Sequence, residues 1–197
     1  MLNQYCFKSQ ITSFYKKPSM LRFICLVLLL SFGFISNAQI FSTRSASVSF
    51  YSSTPLEDIK AKSSDVESKF LSTTGQLTFM LLIKSFRFDN EMMEEHFNES
   101  YLESDKFPKA DFKGTVSNIA AVNFNRDGVY PVTVQGNLTI HGVTKAVTTN
   151  GTIVIKNGKP TAKCTFPVKV RDYNISGKII GKELAESIAI TIDCRYE

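Results

Sequence analysis

Strict alternation of apolar and polar residues runs through this chain from residue 46 onward, and it restricts the fold more than any other feature. Ala46, Val48, Phe50; Leu77, Phe79, Leu81, Ile83; Val132, Val134, Gly136, Leu138, Ile140; Ile153, Ile155; Phe166, Val168, Val170; and Ile188, Ile190, Ile192 each recur at every second position. Successive side chains of a strand point to opposite faces, so such rows mark strands with one buried face. Weaker runs occupy Val66 to Phe70 and Phe112 to Val122. Between the rows stand Thr73-Thr74-Gly75, Arg126-Asp127-Gly128, His141-Gly142, Asn150-Gly151 and Lys156-Asn157-Gly158-Lys159-Pro160, residue types that tight turns favour. About eight short strands joined in this way predict an all-β sandwich or closed barrel, not a parallel α/β sheet.

One segment departs from the alternation. Asp89 to Asn98 carries a capping Asp, acids in its first turn, and Met93 and Phe97 one helical turn apart, which predicts a short helix bounded downstream by the loop before Pro108. A lone helix in an antiparallel barrel is expected to lie over one end as a lid or plug. Its Met93 and Phe97 face then either plugs the opening or fills core.

Residues 1–38 carry a different signal. Arg22 precedes an unbroken apolar run from Phe23 to Leu30, extended through Phe32, Phe34 and Ile35, and Ser36-Asn37-Ala38 follows. The run is short of the roughly 20 residues that span a bilayer, and small residues before Gln39 are what a signal peptidase accepts. The expected division is a signal peptide over 1–38, with Met20 as an alternative start, and one domain over 39–197. The expected compartment is therefore outside the cytoplasm, periplasmic or secreted. Lys8, Lys16, Lys17 and Arg22 would leave with the leader, so the 23 cations fall to 19 against 18 acids, a formal charge of +1. No basic cluster remains to attract nucleic acid. Cys6 and Cys25 leave as well, and Cys164 and Cys194 stay. If Val170 stands opposite Ile188 in an antiparallel pair, Cys164 stands opposite Cys194, close enough for a disulfide in an oxidising compartment. The alternative is two buried free thiols.

Two blocks in the middle of the chain are recognisable. His96-Phe97-Asn98-Glu99-Ser100-Tyr101-Leu102-Glu103-Ser104-Asp105-Lys106-Phe107-Pro108-Lys109-Ala110 resembles the helix-and-loop signature of YceI-like polyisoprenoid-binding proteins, and Gly136-Asn137-Leu138-Thr139-Ile140-His141-Gly142-Val143-Thr144-Lys145 resembles their strand and His-Gly-Val-Thr-Lys turn. Pro55 to Ala61 and Arg171 to Ile175 also look family-like. The resemblance implies a lipocalin-like, closed antiparallel barrel whose elongated apolar cavity holds an isoprenoid or other long-chain amphiphile. The ligand would then be a lipid, with no cofactor, and a membrane partner for lipid handover and an oligomeric state are both compatible with it. An eight-stranded barrel either fills with side chains or holds one small ligand. A filled barrel acting as an interaction or stress-response module for a membrane or redox partner therefore stands as the alternative.

On the carrier reading, Phe79, Leu81, Leu138, Ile140 and Phe166 line the cavity, joined by Met93 and Phe97 of the helix and Phe107 of the loop. His141, Lys145, Lys106 and Arg171 are the candidate polar rim facing a head group. The other reading of His141 is a turn residue bonded to backbone, and that of Arg171 with Asp172 is a surface ion pair of little weight. Catalysis finds no motif: there are 2 His, no Gly-x-Ser-x-Gly, no His-Glu-x-x-His and no cysteine pair at zinc spacing. The expected protein is neither an enzyme nor metal-dependent.

Overall fold

The computed structural model describes residues 39–178 and 180–197. The expected leader, its cleavage point, Met20, Cys6 and Cys25 lie outside the described residues. Nine strands follow in order: β1 (Ile40–Ser53), β2 (Asp58–Leu71), β3 (Gln76–Leu82), β4 (Arg87–Phe88), β5 (Lys109–Val116), β6 (Gly128–Ile140), β7 (Val143–Lys156), β8 (Lys159–Lys169) and β9 (Ser187–Arg195). Each long strand pairs antiparallel with its neighbours in sequence, and β1 pairs with both β2 and β9, which closes the sheet. The two-residue β4 lies on the β2 edge beyond β3, so the wall has eight positions and the fold is a closed, eight-stranded antiparallel barrel.

Turn chemistry explains the tight connections. His141 and Gly142 have φ of 49° and 74°, and Asn157 and Gly158 have 52° and 75°. Positive φ at both central residues is the geometry whose twist matches that of the flanking strands. Asn150-Gly151, expected as a turn, instead lies inside the 14-residue β7. A Cβ on Gly151 would come within 2.7 Å of the Lys163 carbonyl oxygen, so glycine here serves close strand approach. The alternation also slips once in each of β1 and β2. Irregularities between Thr43 and Val48 switch the buried positions from Phe41 and Thr43 to Ala46, Val48 and Phe50.

The helix α1 is shorter than expected, Glu91–His96, and continues as a wider π turn over Phe97–Tyr101. Its cap is Asn90, not Asp89: Asn90 Oδ1 accepts from the Met92 amide at 2.9 Å. Glu94 ties the helix to β4, accepting from Arg87 Nη1 at 2.9 Å and from the Phe88 amide at 3.2 Å.

The expected neighbours β8 and β9 do pair, in a different register. Val168, not Val170, stands opposite Ile188, because Val170 has already left the strand as the first residue of a 3-10 turn over Val170–Tyr173. Cys164 consequently faces Ile192 and Cys194 faces Ala162. The two cysteines are diagonal and both are free thiols, so the expected bridge is corrected.

Candidate functional site

Aromatic rings cluster at both ends of the barrel. At the end where β2 turns into β3, Phe41, Phe70, Phe124 and Tyr196 form a floor, with ring centroids 5.8 to 6.4 Å apart. At the other end Phe50, Phe86 and Phe88 surround Phe97 of the π turn at 5.0 to 5.6 Å. Such offset and tilted ring pairs contribute about 0.5–1.5 kcal/mol each beyond area burial. Between the two clusters lie two apolar chambers. The lower is lined by Phe70, Leu77, Phe79, Phe112, Phe166 and Tyr196 among others, the upper by Phe50, Leu81, Phe97, Leu102, Leu138 and Ile140 among others. They hold about 640 and 810 Å³ of atom-free space, counting the parts open at their mouths. Phe79, Phe112 and Ile192 border both, so the chambers meet at these side chains. These three residues and Ile188 and Ile190 remain half-buried because they line this space.

A third hollow, with about 1030 Å³ of atom-free space counting what is open to solvent, lies at the helix end and shares Phe97, Leu102, Val170, Ile175 and Ile188 with the upper chamber. Met93 lines it, and so do Glu57, Asn90, His96, Tyr101 and Glu183. The formal charges at this mouth are carboxylates, and the Tyr101 hydroxyl is held above its ordinary range by burial and by Glu183.

The expected lining residues Phe79, Leu81, Phe97, Leu138, Ile140 and Phe166 thus come together around the chambers, and Met93 stands at the mouth. The expected rim does not assemble. Arg171 is exposed and lies 4.0 Å from Glu186, and Lys106 sits over the Phe107 ring and 3.7 Å from Glu103. Phe107 lines none of the three hollows. It packs edge-on against His141 at 4.5 Å, and a Cβ on Gly142 would strike its ring at 2.7 Å.

His141 is a clasp and lines none of the three hollows. Its side chain is 9% exposed, with Nε2 2.9 Å from Glu103 Oε2 and Nδ1 3.2 Å from the Tyr173 carbonyl oxygen. Both ring nitrogens face oxygen acceptors. Three segments meet at this one ring: the loop after the helix, the β6–β7 turn and the 3-10 turn after β8. Both recognisable sequence blocks therefore build the same joint, with Glu103 and His141 held at φ of 41° and 49°.

The clasp predicts a pH dependence. The hydrogen bond from His141 is the first cause that holds the Glu103 carboxyl below its ordinary 4.5, with Lys106 adding to it. A depressed folded value means stability that is present above about pH 4.5 and lost as pH falls through the folded value. Wild-type protein is expected to lose stability in that acid range more steeply than Glu103→Gln, measured by thermal melting from pH 7 to pH 3. Parallel pH profiles would refute the assignment.

Several lining residues carried no individual sequence signal as site residues. Phe112 is one: its ring occupies the space above paired Gly114 and Gly136, where a Cβ on either would lie 2.6 to 2.7 Å from Phe112 Cζ. Tyr196, just beyond β9, is another. Its hydroxyl lies 2.9 Å from Ser68 Oγ, which lies 3.0 Å from the Thr78 carbonyl oxygen. Burial raises the Tyr196 hydroxyl, pushes the Cys164 thiol up to about 11 and raises Cys194 as well, so the inner thiols and phenol stay protonated. The interior is inert and apolar, suited to enclosing a chain of carbons.

Comparison with known proteins agrees with this architecture. Residues 38–196 match the model of the YceI-like domain. A polyisoprenoid binding domain from Saccharophagus degradans superposes with a TM-score of 0.70 at 14% identity, covering 81% of this chain and 98% of that one. BcnA of Burkholderia cenocepacia gives 0.64 at 18% identity over 75% and 94%, and the YCEI protein of Campylobacter jejuni 0.53 at 18% over 70% and 84%. At these identities the likeness is one of fold. No curated protein matches the sequence.

Proposed function

Since this chain belongs to the YceI-like family, we propose that it is an exported, non-enzymatic carrier or reservoir for a polyisoprenoid or similar long-chain amphiphile. The observation that carries the reading is the pair of adjoining apolar chambers, floored by aromatic rings at one end and bounded at the other by Phe97 of the π turn and Leu102. Affinity needs no bond chemistry, because each methylene moved from water to such a lining contributes about 0.8 kcal/mol. The polyisoprenoid-binding neighbour from Saccharophagus degradans supports this ligand class, and the apolar run followed by Ser36-Asn37-Ala38 supports export.

Protein purified from its own host is expected to begin at or near Gln39 and to release a long-chain lipid on organic extraction, with matching mass in native spectrometry. An intact Met1 or Met20 terminus would count against export. Absence of any co-purified lipid, together with no binding of a fluorescent long-chain probe, would remove the carrier reading.

A further inference from the structure

The barrel wall is not hydrogen-bonded all the way round. β7 and β8 pair from Lys156↔Lys159 to Gly151↔Cys164, and the ladder stops there. Val143 to Asn150 of β7 pair only with β6, and Thr165 to Lys169 of β8 only with β9. The two sides meet again at the far end, where the His141 ring reaches the Tyr173 carbonyl. A window is left between them in the half of the wall nearer the helix. Lower-chamber residues Thr149, Cys164 and Phe166 border its lower part, and Val168 of the upper chamber continues its β8 side.

One charged side chain belongs to this window. Paired residues of an antiparallel ladder point to the same face, and Lys145 stands opposite Leu138, which lines the upper chamber. Its row neighbours Val143 and Val147 are half-buried against the core. Among the described residues, Lys145 is the one charged residue on the inward rows of the eight wall strands. It is nevertheless exposed, and no carboxylate pairs with it among the described residues. Lys145 lies near the His141–Gly142 turn, in the stretch where β7 has parted from β8, and its side chain reaches water there.

We propose that the β7–β8 window is a lateral seat for an anionic head group, a carboxylate or a phosphate, held by Lys145 while the tail lies in the chambers. This rests on the carrier reading and adds where the head group sits and of what sign it is. Charge complementarity separates the two openings. The helix-end mouth carries Glu57 and Glu183, which repel an anion, and the window carries Lys145. The unpaired amides along the β7 edge offer further donors to the same oxygens.

The test compares octadecenoic acid, octadecenyl phosphate and octadecenol, each delivered to full-length protein from phosphatidylcholine vesicles. Lys145→Glu is expected to weaken binding of an anionic chain by about tenfold or more, as for a lost charge-assisted contact, and to leave the alcohol within about twofold. Lys145→Arg should retain anion binding. A diazirine placed beside the head group should label Val143 to Asn150 or Thr165 to Lys169. Equal weakening of acid, phosphate and alcohol, or labelling of Glu91 to Tyr101 instead, would overturn the window while leaving the carrier intact. If wild-type protein takes up none of the three chains, the carrier reading itself falls. A loss confined to the acid or to the phosphate identifies which anion the seat takes.

Discussion

Leu81→Glu is expected to abolish uptake of long-chain ligands while the barrel stays folded. Leu81 lies in β3 between Val66 and Ala110, and it is part of the upper-chamber lining with Leu138 and Ile140. A carboxylate placed there faces an apolar wall across a space large enough to admit water. Water in that space keeps the stability cost below the several kcal/mol of a fully buried unpaired charge, whereas an incoming hydrocarbon tail would have to strip that solvation and leave the carboxylate unpaired. Affinity should fall by about a hundredfold or more, since each 1.4 kcal/mol is a factor of ten. Far-ultraviolet circular dichroism and thermal melting report the fold, and titration with a fluorescent long-chain probe reports the site. Global unfolding of Leu81→Glu at room temperature would mean that the interior is filled, which favours the interaction-module alternative.

Tyr196→Ala should strongly destabilise the barrel through the floor. The ring is 4% exposed and packs within 6.4 Å of Phe41 and 5.8 Å of Phe70, and its hydroxyl bonds Ser68 Oγ. Removing a buried aromatic side chain costs about 3–5 kcal/mol through lost transfer energy and the cavity left behind. Tyr196→Phe keeps the ring, and Ser68 Oγ can still donate to the Thr78 carbonyl at 3.0 Å, so its cost should be near 1 kcal/mol. Urea denaturation of the two variants separates ring from hydroxyl. Equal losses in both would show that the floor is held by the hydrogen bond and not by packing.

The rows at every second position announced the strands, because side-chain direction along a strand depends on nothing outside it. His141-Gly142 and Asn157-Gly158 announced two hairpins for a similar reason: a two-residue loop demands positive φ, and these residue types tolerate it. The two recognisable blocks carried the family, and with it the barrel. The apolar lining from Phe79 to Phe166 was legible because inward positions of a closed sheet are the apolar ones.

What only the tertiary structure decided was every relation between strands. A register difference of two residues moved the partner of Cys164 from Cys194 to Ile192, since register follows from where β8 ends, and Val170 turns out of the sheet to bring Tyr173 under His141. Asn150-Gly151 has turn composition, but its glycine serves the close approach of Lys163 from the neighbouring strand. His141 had two local readings, and Glu103, 38 positions away in sequence, selected the clasp. The window beside Lys145 exists because two strands that pair at one end part at the other. Backbone preferences and alternation are local and are written in the chain; pairing, closure and splay depend on distant segments meeting, so they are settled only when the whole sheet forms.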